Sequence, residues 1–154
     1  MSTAQKTGKG RAYFTGKLLL AKGFNQLLGI EACLRDRTGE HFETDIFGSG
    51  PDKHEIRRAF SGDESDKSGI LISLSKWSSS SSGRRHRLPA QFLGKSDHSS
   101  LASDEYSILI NPSLTEVLST TTTEAIAMGK WAVIPSLPYN SFCVQFPKRI
   151  MILR

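Results

Sequence analysis

Asn111-Pro-Ser-Leu-Thr-Glu116-Val-Leu-Ser119-Thr-Thr-Thr-Thr-Glu124-Ala-Ile-Ala-Met-Gly-Lys130 decides how this 154-residue chain is read. The run carries two carboxylates eight positions apart, Glu116 in a polar loop and Glu124 opening a helix. The apolar segment Tyr106-Ser-Ile-Leu-Ile110 precedes it, and Trp131-Ala-Val-Ile134 follows it. The spacing therefore predicts strand, polar loop, helix, strand, which is a βαβ unit. The loop of such a unit lies at the carboxyl edge of a parallel sheet, where open α/β folds bind ligands. Ser119 to Thr123 fall where the helix begins. A helix start offers unpaired amides and a positive dipole end to an anion. Two acids beside an anion pocket suit a ligand carrying both phosphate and sugar hydroxyls.

The rest of the chain extends the same rhythm. Ala12 to Thr15 is a short β-prone run ending at Gly16, and Phe42 to Phe47 alternates as a second strand. Between them, Phe24, Leu27, Leu28 and Leu34 recur at helical spacing up to about Arg35. Gly48-Ser-Gly50-Pro51 ends the second strand, and Asp52 is placed to cap a helix running through Phe60. From 63 to 88 the rhythm breaks. Five serines (78 to 82) and Arg84-Arg85-His86-Arg87 make this polar stretch a disordered surface insertion by composition, although it includes Ile70-Leu71-Ile72. Strand character resumes at Gln91-Phe-Leu-Gly94. Pro135 to Arg154 has three prolines and no helical pattern, and reads as an end cut short. The predicted fold class is a doubly wound parallel α/β sheet over 10–147, interrupted by 63–88.

The net charge of +5 and pI near 9.4 favour anionic partners without choosing among them. Cys33 and Cys143 read as reduced, buried thiols, because no metal-ligand spacing links them to each other or to a histidine pair. His41, His54 and His86 are scattered and read as surface residues, while Trp131 is expected in the sheet core. No apolar run approaches the roughly 20 residues of a membrane span, and no signal-peptide core stands at the N-terminus.

Gly16-Lys17-Leu-Leu-Leu-Ala-Lys22-Gly23 directly follows the first strand. Glycine permits close backbone approach, and the two lysines can converge on one diphosphate. The spacing fits neither Gly-x4-Gly-Lys-Ser/Thr nor Gly-x-Gly-x-x-Gly. Taken in order, Gly-Lys-x4-Lys-Gly, Phe-Gly-x-Gly-Pro, Phe-Leu-Gly with Asp97-His98, and Glu-x7-Glu-Ala-x-Ala-Met-Gly-Lys resemble the C-terminal, Rossmann-like half of retaining GT-B glycosyltransferases. More narrowly, they resemble plant and algal digalactosyldiacylglycerol synthases, across about 10–62 and 89–147. The chain departs from that branch at Glu116, where the branch has aspartate, at Lys95-Ser96, and across 63–88.

The resemblance implies roles residue by residue. Lys17 and Lys22 would touch the donor diphosphate, and the backbone amides of Ser119 and Thr120 would cradle phosphate. Glu116 would hold the donor sugar and Glu124 the ribose hydroxyls. Gly16, Gly48 and Gly50 would line the loops near the nucleotide, and Phe92, Gly94 and His98 the strand and loop beside the base. It implies UDP-galactose as donor and no cofactor or metal. It also implies a galactolipid acceptor handled by an N-terminal domain outside this chain, and peripheral association with the chloroplast outer envelope membrane. By itself the chain is expected to bind donor without transferring sugar. The rival expectations are a silent nucleotide-sugar-binding fragment, another retaining GT-B enzyme, and a basic nucleic-acid binder using Arg84 to Arg87. No aromatic platform is interleaved with those arginines to favour the last.

Overall fold

Alternation along each strand sends neighbouring side chains to opposite faces, so one strand of the sheet can feed two different cores. In β1 (Arg11–Thr15), Ala12 and Phe14 enter one core while Tyr13 enters the other. The computed structural model describes residues 10–40, 42–62, 88–116, 119–141, 145 and 148–153. Residues 63–87, His41 and Cys143 fall outside these, and with them the insertion expected from composition, its arginine cluster, His86 and Trp77.

Among the described residues five further strands follow: β2 (Thr44–Phe47), β3 (Ala90–Gly94), β4 (Tyr106–Ile110), β5 (Trp131–Pro135) and β6 (Ile150–Leu153). All described pairings are parallel, in the order β3-β2-β1-β4-β5-β6. This is the doubly wound order, and its direction reverses between β1 and β4. The described α-helices are α1 (Phe24–Thr38), α2 (Lys53–Ser61) and α3 (Thr120–Ala127). Phe24, Leu27 and Leu28 of α1 pack with Ile56, Ala59 and Phe60 of α2 on one face. Ala125 of α3 joins Tyr13, Phe47, Leu101, Tyr106 and Leu109 on the other. The predicted fold class is the observed one.

Several local expectations give way to packing. The end read as cut short and without a helical pattern supplies a strand, β6, whose Ile150 pairs with Ala132 of β5. Leu88, expected in the insertion, is buried in the core, and its N–H donates to the Phe60 carbonyl at 3.0 Å. Trp131, expected inside, is 39% exposed, with the Arg149 guanidinium 6.0 Å from its ring. Cys33 is half-buried and free rather than buried. Asp52 stands at the N-cap of α2 without a side-chain cap bond. Its Oδ2 instead accepts the Leu20 N–H at 2.9 Å, which ties the loop after β1 to the one after β2.

The buried stripe of α1 runs 24, 27, 28, 31, so a carboxylate takes the position that the i+7 pattern reserves for an apolar residue. Glu31 is fully buried, and Thr44 donates a hydroxyl hydrogen bond to its Oε1 at 2.8 Å. Its Oε2 has no partner. Burial pushes this carboxyl from its ordinary 4.5 up to about 8, against the opposing pull of the Thr44 bond. The native state therefore keeps a proton that the unfolded chain releases above 4.5. Stability should fall as pH rises between about 4.5 and 8, with a slope approaching roughly 1.4 kcal/mol per pH unit from this group. Urea melts of Glu31→Gln across that window should lose that slope; an unchanged slope would locate the dependence elsewhere.

Candidate functional site

Three loops meet at the carboxyl edge of the sheet because the backbone leaves no room for them to part. The Gly16 N–H donates to the Phe47 carbonyl at 3.1 Å, and the Leu18 N–H to Ser49 at 3.0 Å. Gly48 adopts φ 136°, and a Cβ there would land on the Gly16 carbonyl oxygen, so only glycine fits without displacing the neighbouring loop. The Gly48 N–H continues outward to the Gly94 carbonyl at 2.7 Å. On the other flank, Gly23 at φ 86° separates the 3-10 turn Leu20–Lys22 from α1. A Cβ at Gly23 would meet the Pro112 carbonyl oxygen, so the start of α1 is pressed against the loop after β4.

That approach brings Lys22 to Glu116, 94 positions away in sequence. The ammonium donates to Glu116 Oε1 at 2.7 Å, with side chains 28% and 18% exposed. A partly buried pair of this kind is screened less by salt than a surface pair. Asn111, the first residue after β4, offers its Nδ2 to Glu116 Oε2 at 3.3 Å. Burial pushes the Glu116 carboxyl up, but the hydrogen bonds from Lys22, Asn111 and Ser119 together outweigh it and hold the group below its ordinary value. Glu116 is thus kept as a carboxylate.

The start of α3 is built by Ser119. Its Oγ accepts the Thr122 N–H at 3.2 Å as an N-cap, and its carbonyl accepts the first intrahelical bond, from the Thr123 N–H at 3.1 Å. The amides of Thr120 and Thr121 precede that bond. At the far end, buried Lys130 donates to the carbonyls of Ser103 and Ala102 at 2.5 and 3.4 Å, fixing α3 against the 3-10 turn His98–Ala102.

Lys22, Glu116 and Ser119 are therefore brought into one cluster, with Gly16 and Gly48 in the adjoining loops. Lys17 is exposed beside Gly16. Glu124 does not open α3; it is the fifth residue, exposed, in the second turn, with its carbonyl accepting the Met128 N–H. Its charge, added to burial, helps to push the Tyr13 hydroxyl up to about 12. The Gly50 carbonyl accepts the Lys53 N–H at 3.3 Å in the turn before α2. The Phe92 ring is committed to packing, 5.8 Å from Phe60 and 5.7 Å from the Arg57 guanidinium. Gly94 ends β3, and His98 begins the turn that Asp97 caps through the Ser99 N–H. Asn111 and Asp52 hold the site together, a part that the sequence pattern does not assign to either. Their signal is weak, because a single polar residue at a strand end or helix start resembles any other. Among the described residues, no cluster of histidine, cysteine or acid could hold a metal ion.

No protein-family model matches the chain. Among curated proteins, it is 35% identical over 143 residues to digalactosyldiacylglycerol synthase 1, chloroplastic, of Arabidopsis thaliana, covering 93% of this chain and 15% of that protein. It is 36% identical over 138 residues to digalactosyldiacylglycerol synthase 2, chloroplastic, of Glycine max, covering 88% of this chain and 24% of that protein. The chain spans less than a quarter of the length of these two relatives. Among solved structures, the pneumococcal O-GlcNAc transferase in complex with UDP and GlcNAc superposes with TM-score 0.57 at 20% identity, over 84% of this chain and 22% of that one. Sucrose-phosphate synthase from Thermosynechococcus elongatus superposes with TM-score 0.58 at 19% identity, over 95% of this chain and 33% of that one. At such identities the superpositions establish the fold alone, a doubly wound, Rossmann-like α/β sheet. The resemblance read from the motifs is the one these comparisons return.

Proposed function

We propose that this chain, akin to part of the digalactosyldiacylglycerol synthases, is the donor-binding half of a retaining galactosyltransferase that extends a monogalactolipid from UDP-galactose. The observation that carries the proposal is the Lys22–Glu116 pair, held between the loops after β1 and β4 where the strand order reverses. A cation and a carboxylate at that point match a ligand that presents a diphosphate and sugar hydroxyls side by side.

In this reading Lys22, with exposed Lys17 beside it, takes the diphosphate, and the amides at the start of α3, from Ser119 and Thr120, cradle one phosphate. Glu116 faces the donor sugar and Glu124 the ribose hydroxyls. Gly16, Gly48 and Gly50 let the backbone approach the nucleotide. Gly94 and His98 lie toward the base, while Phe92 contributes its strand, its ring being occupied by packing. The catalytic contribution of these residues is to stabilise charge on the departing diphosphate. The attacking hydroxyl needs a second domain to position it, so these residues alone bind donor without turnover. The same reading assigns the working protein to the chloroplast outer envelope membrane as a peripheral component. Among the described residues no helix is long and apolar enough to cross a membrane.

Lys22→Ala tests the phosphate role. The variant should weaken UDP by about 10- to 150-fold, the equivalent of a charge-assisted contact worth about 1.5 to 3 kcal/mol, and leave uridine nearly unchanged. Calorimetry with both ligands checks it. Equal losses for the two would mean a damaged fold rather than a missing phosphate contact.

A further inference from the structure

Asn111 is 7% exposed and stands where β4 gives way to the loop that carries Glu116. Its backbone N–H donates to the Val133 carbonyl of β5 at 2.9 Å, so its position is set by the sheet rather than by the loop. Its side-chain nitrogen faces three oxygens at once: Ser119 Oγ at 2.6 Å, Thr122 Oγ1 at 3.0 Å and Glu116 Oε2 at 3.3 Å. Its Oδ1 accepts the Ser113 N–H at 3.4 Å, which orients the amide with its nitrogen toward that cluster.

We infer that Asn111 is a positioning residue for the donor site: one buried amide orients the Glu116 carboxylate and anchors the start of α3. The sugar-facing acid and the phosphate-facing helix start would then form a single unit referenced to the sheet. The inference rests on the proposed role of Glu116.

The proton count gives the amide its part. A carboxylate is an acceptor only, and Ser119 Oγ already accepts the Thr122 N–H as a cap. The Asn111 amide brings two protons to three acceptors, so Glu116 and the cap hydroxyls compete for the same donor. The ionised carboxylate is the stronger acceptor. Lys22 holds Glu116 from its other oxygen, Oε1. When a diphosphate draws Lys22 away, Asn111 and the Ser119 hydroxyl that it binds remain to keep the carboxylate aimed. An aspartate here would bring no protons and would set a second negative charge against Glu116.

The test uses the whole chain with Asn111→Ala, and with Asn111→Asp as a variant of nearly unchanged volume. Carbon-detected NMR titration of the Glu116 carboxyl, without ligand, should show its midpoint raised in Asn111→Ala and raised further in Asn111→Asp. Calorimetry should show the ratio of UDP-galactose to UDP affinity falling about 10-fold in Asn111→Ala, with UDP itself losing less. If Asn111→Ala does not fold, Asn111→Asp is judged by the same two measurements. A Glu116 midpoint unmoved in a folded variant overturns the inference, and so does an equal loss of both ligands. If the wild-type chain binds neither nucleotide, the donor-site reading fails separately, and the ligand-free titration still decides whether Asn111 orients Glu116.

Discussion

Glu116→Gln should cost UDP-galactose about 10- to 150-fold in affinity while leaving UDP unweakened, the loss expected for one charge-assisted contact to a sugar hydroxyl. The asymmetry follows from the pairing of Glu116 with Lys22 at 2.7 Å. In the free protein each charge neutralises the other. Glutamine removes the counter-charge and releases the ammonium, so UDP, whose diphosphate competes for Lys22, should bind equally or slightly better. UDP-galactose gains the same freed lysine but loses the carboxylate that its sugar needs. Glutamine keeps an oxygen and nearly the same shape, so the loop itself should persist. Calorimetry on the variant with each ligand decides it. Parallel losses for UDP and UDP-galactose would refute the division of the donor between the two side chains.

Phe24→Ala should destabilise the domain by about 3 to 5 kcal/mol, the usual consequence of deleting a buried phenyl ring. Phe24 is fully buried, with its ring centroid 4.7 Å from that of Phe14 in β1. It is also the first residue of α1, immediately after Gly23, whose backbone touches Pro112. The cavity would therefore open beneath the junction that sets Lys22 opposite Glu116. Against a typical total of about 5 to 15 kcal/mol, the loss is large enough to leave a measurable unfolded fraction. Urea unfolding should show a lowered midpoint with an unchanged slope. A shift below about 1 kcal/mol would mean that the core around β1 tolerates the vacancy and that the junction is held by other contacts.

Four of the strands are legible because alternation and apolar content act locally. Arg11–Thr15, Ala90–Gly94, Tyr106–Ile110 and Trp131–Pro135 lie within a residue or two of where patterning placed them. The alternation that predicts β2 includes Phe42, yet the strand begins at Thr44, and Phe42 packs against the core from outside it. β6 was invisible because four apolar residues after a proline-rich stretch take their meaning only from pairing with β5. Glu31 is hidden for the opposite reason: a charged residue breaks the apolar count even where it occupies the core stripe. Of the candidate site, Lys22, Glu116 and Ser119 were legible, as motif and as helix start. Their meeting was not, because it depends on the contact of Gly23 with Pro112, two residues 89 positions apart in sequence. Asp52 shows how a correct position can carry a wrong role. It sits at the N-cap, but its carboxylate reaches a backbone N–H in another loop.

A nucleotide sugar should bind this chain where the loops after β1 and β4 meet. The most direct test is calorimetric titration of the purified wild-type chain with UDP-galactose, UDP and uridine at fixed ionic strength. One site is expected for UDP-galactose and for UDP, with uridine at least about 10-fold weaker because it lacks the diphosphate that Lys22 and the start of α3 receive. A folded chain that binds neither nucleotide, or that binds uridine as well as UDP, would contradict it.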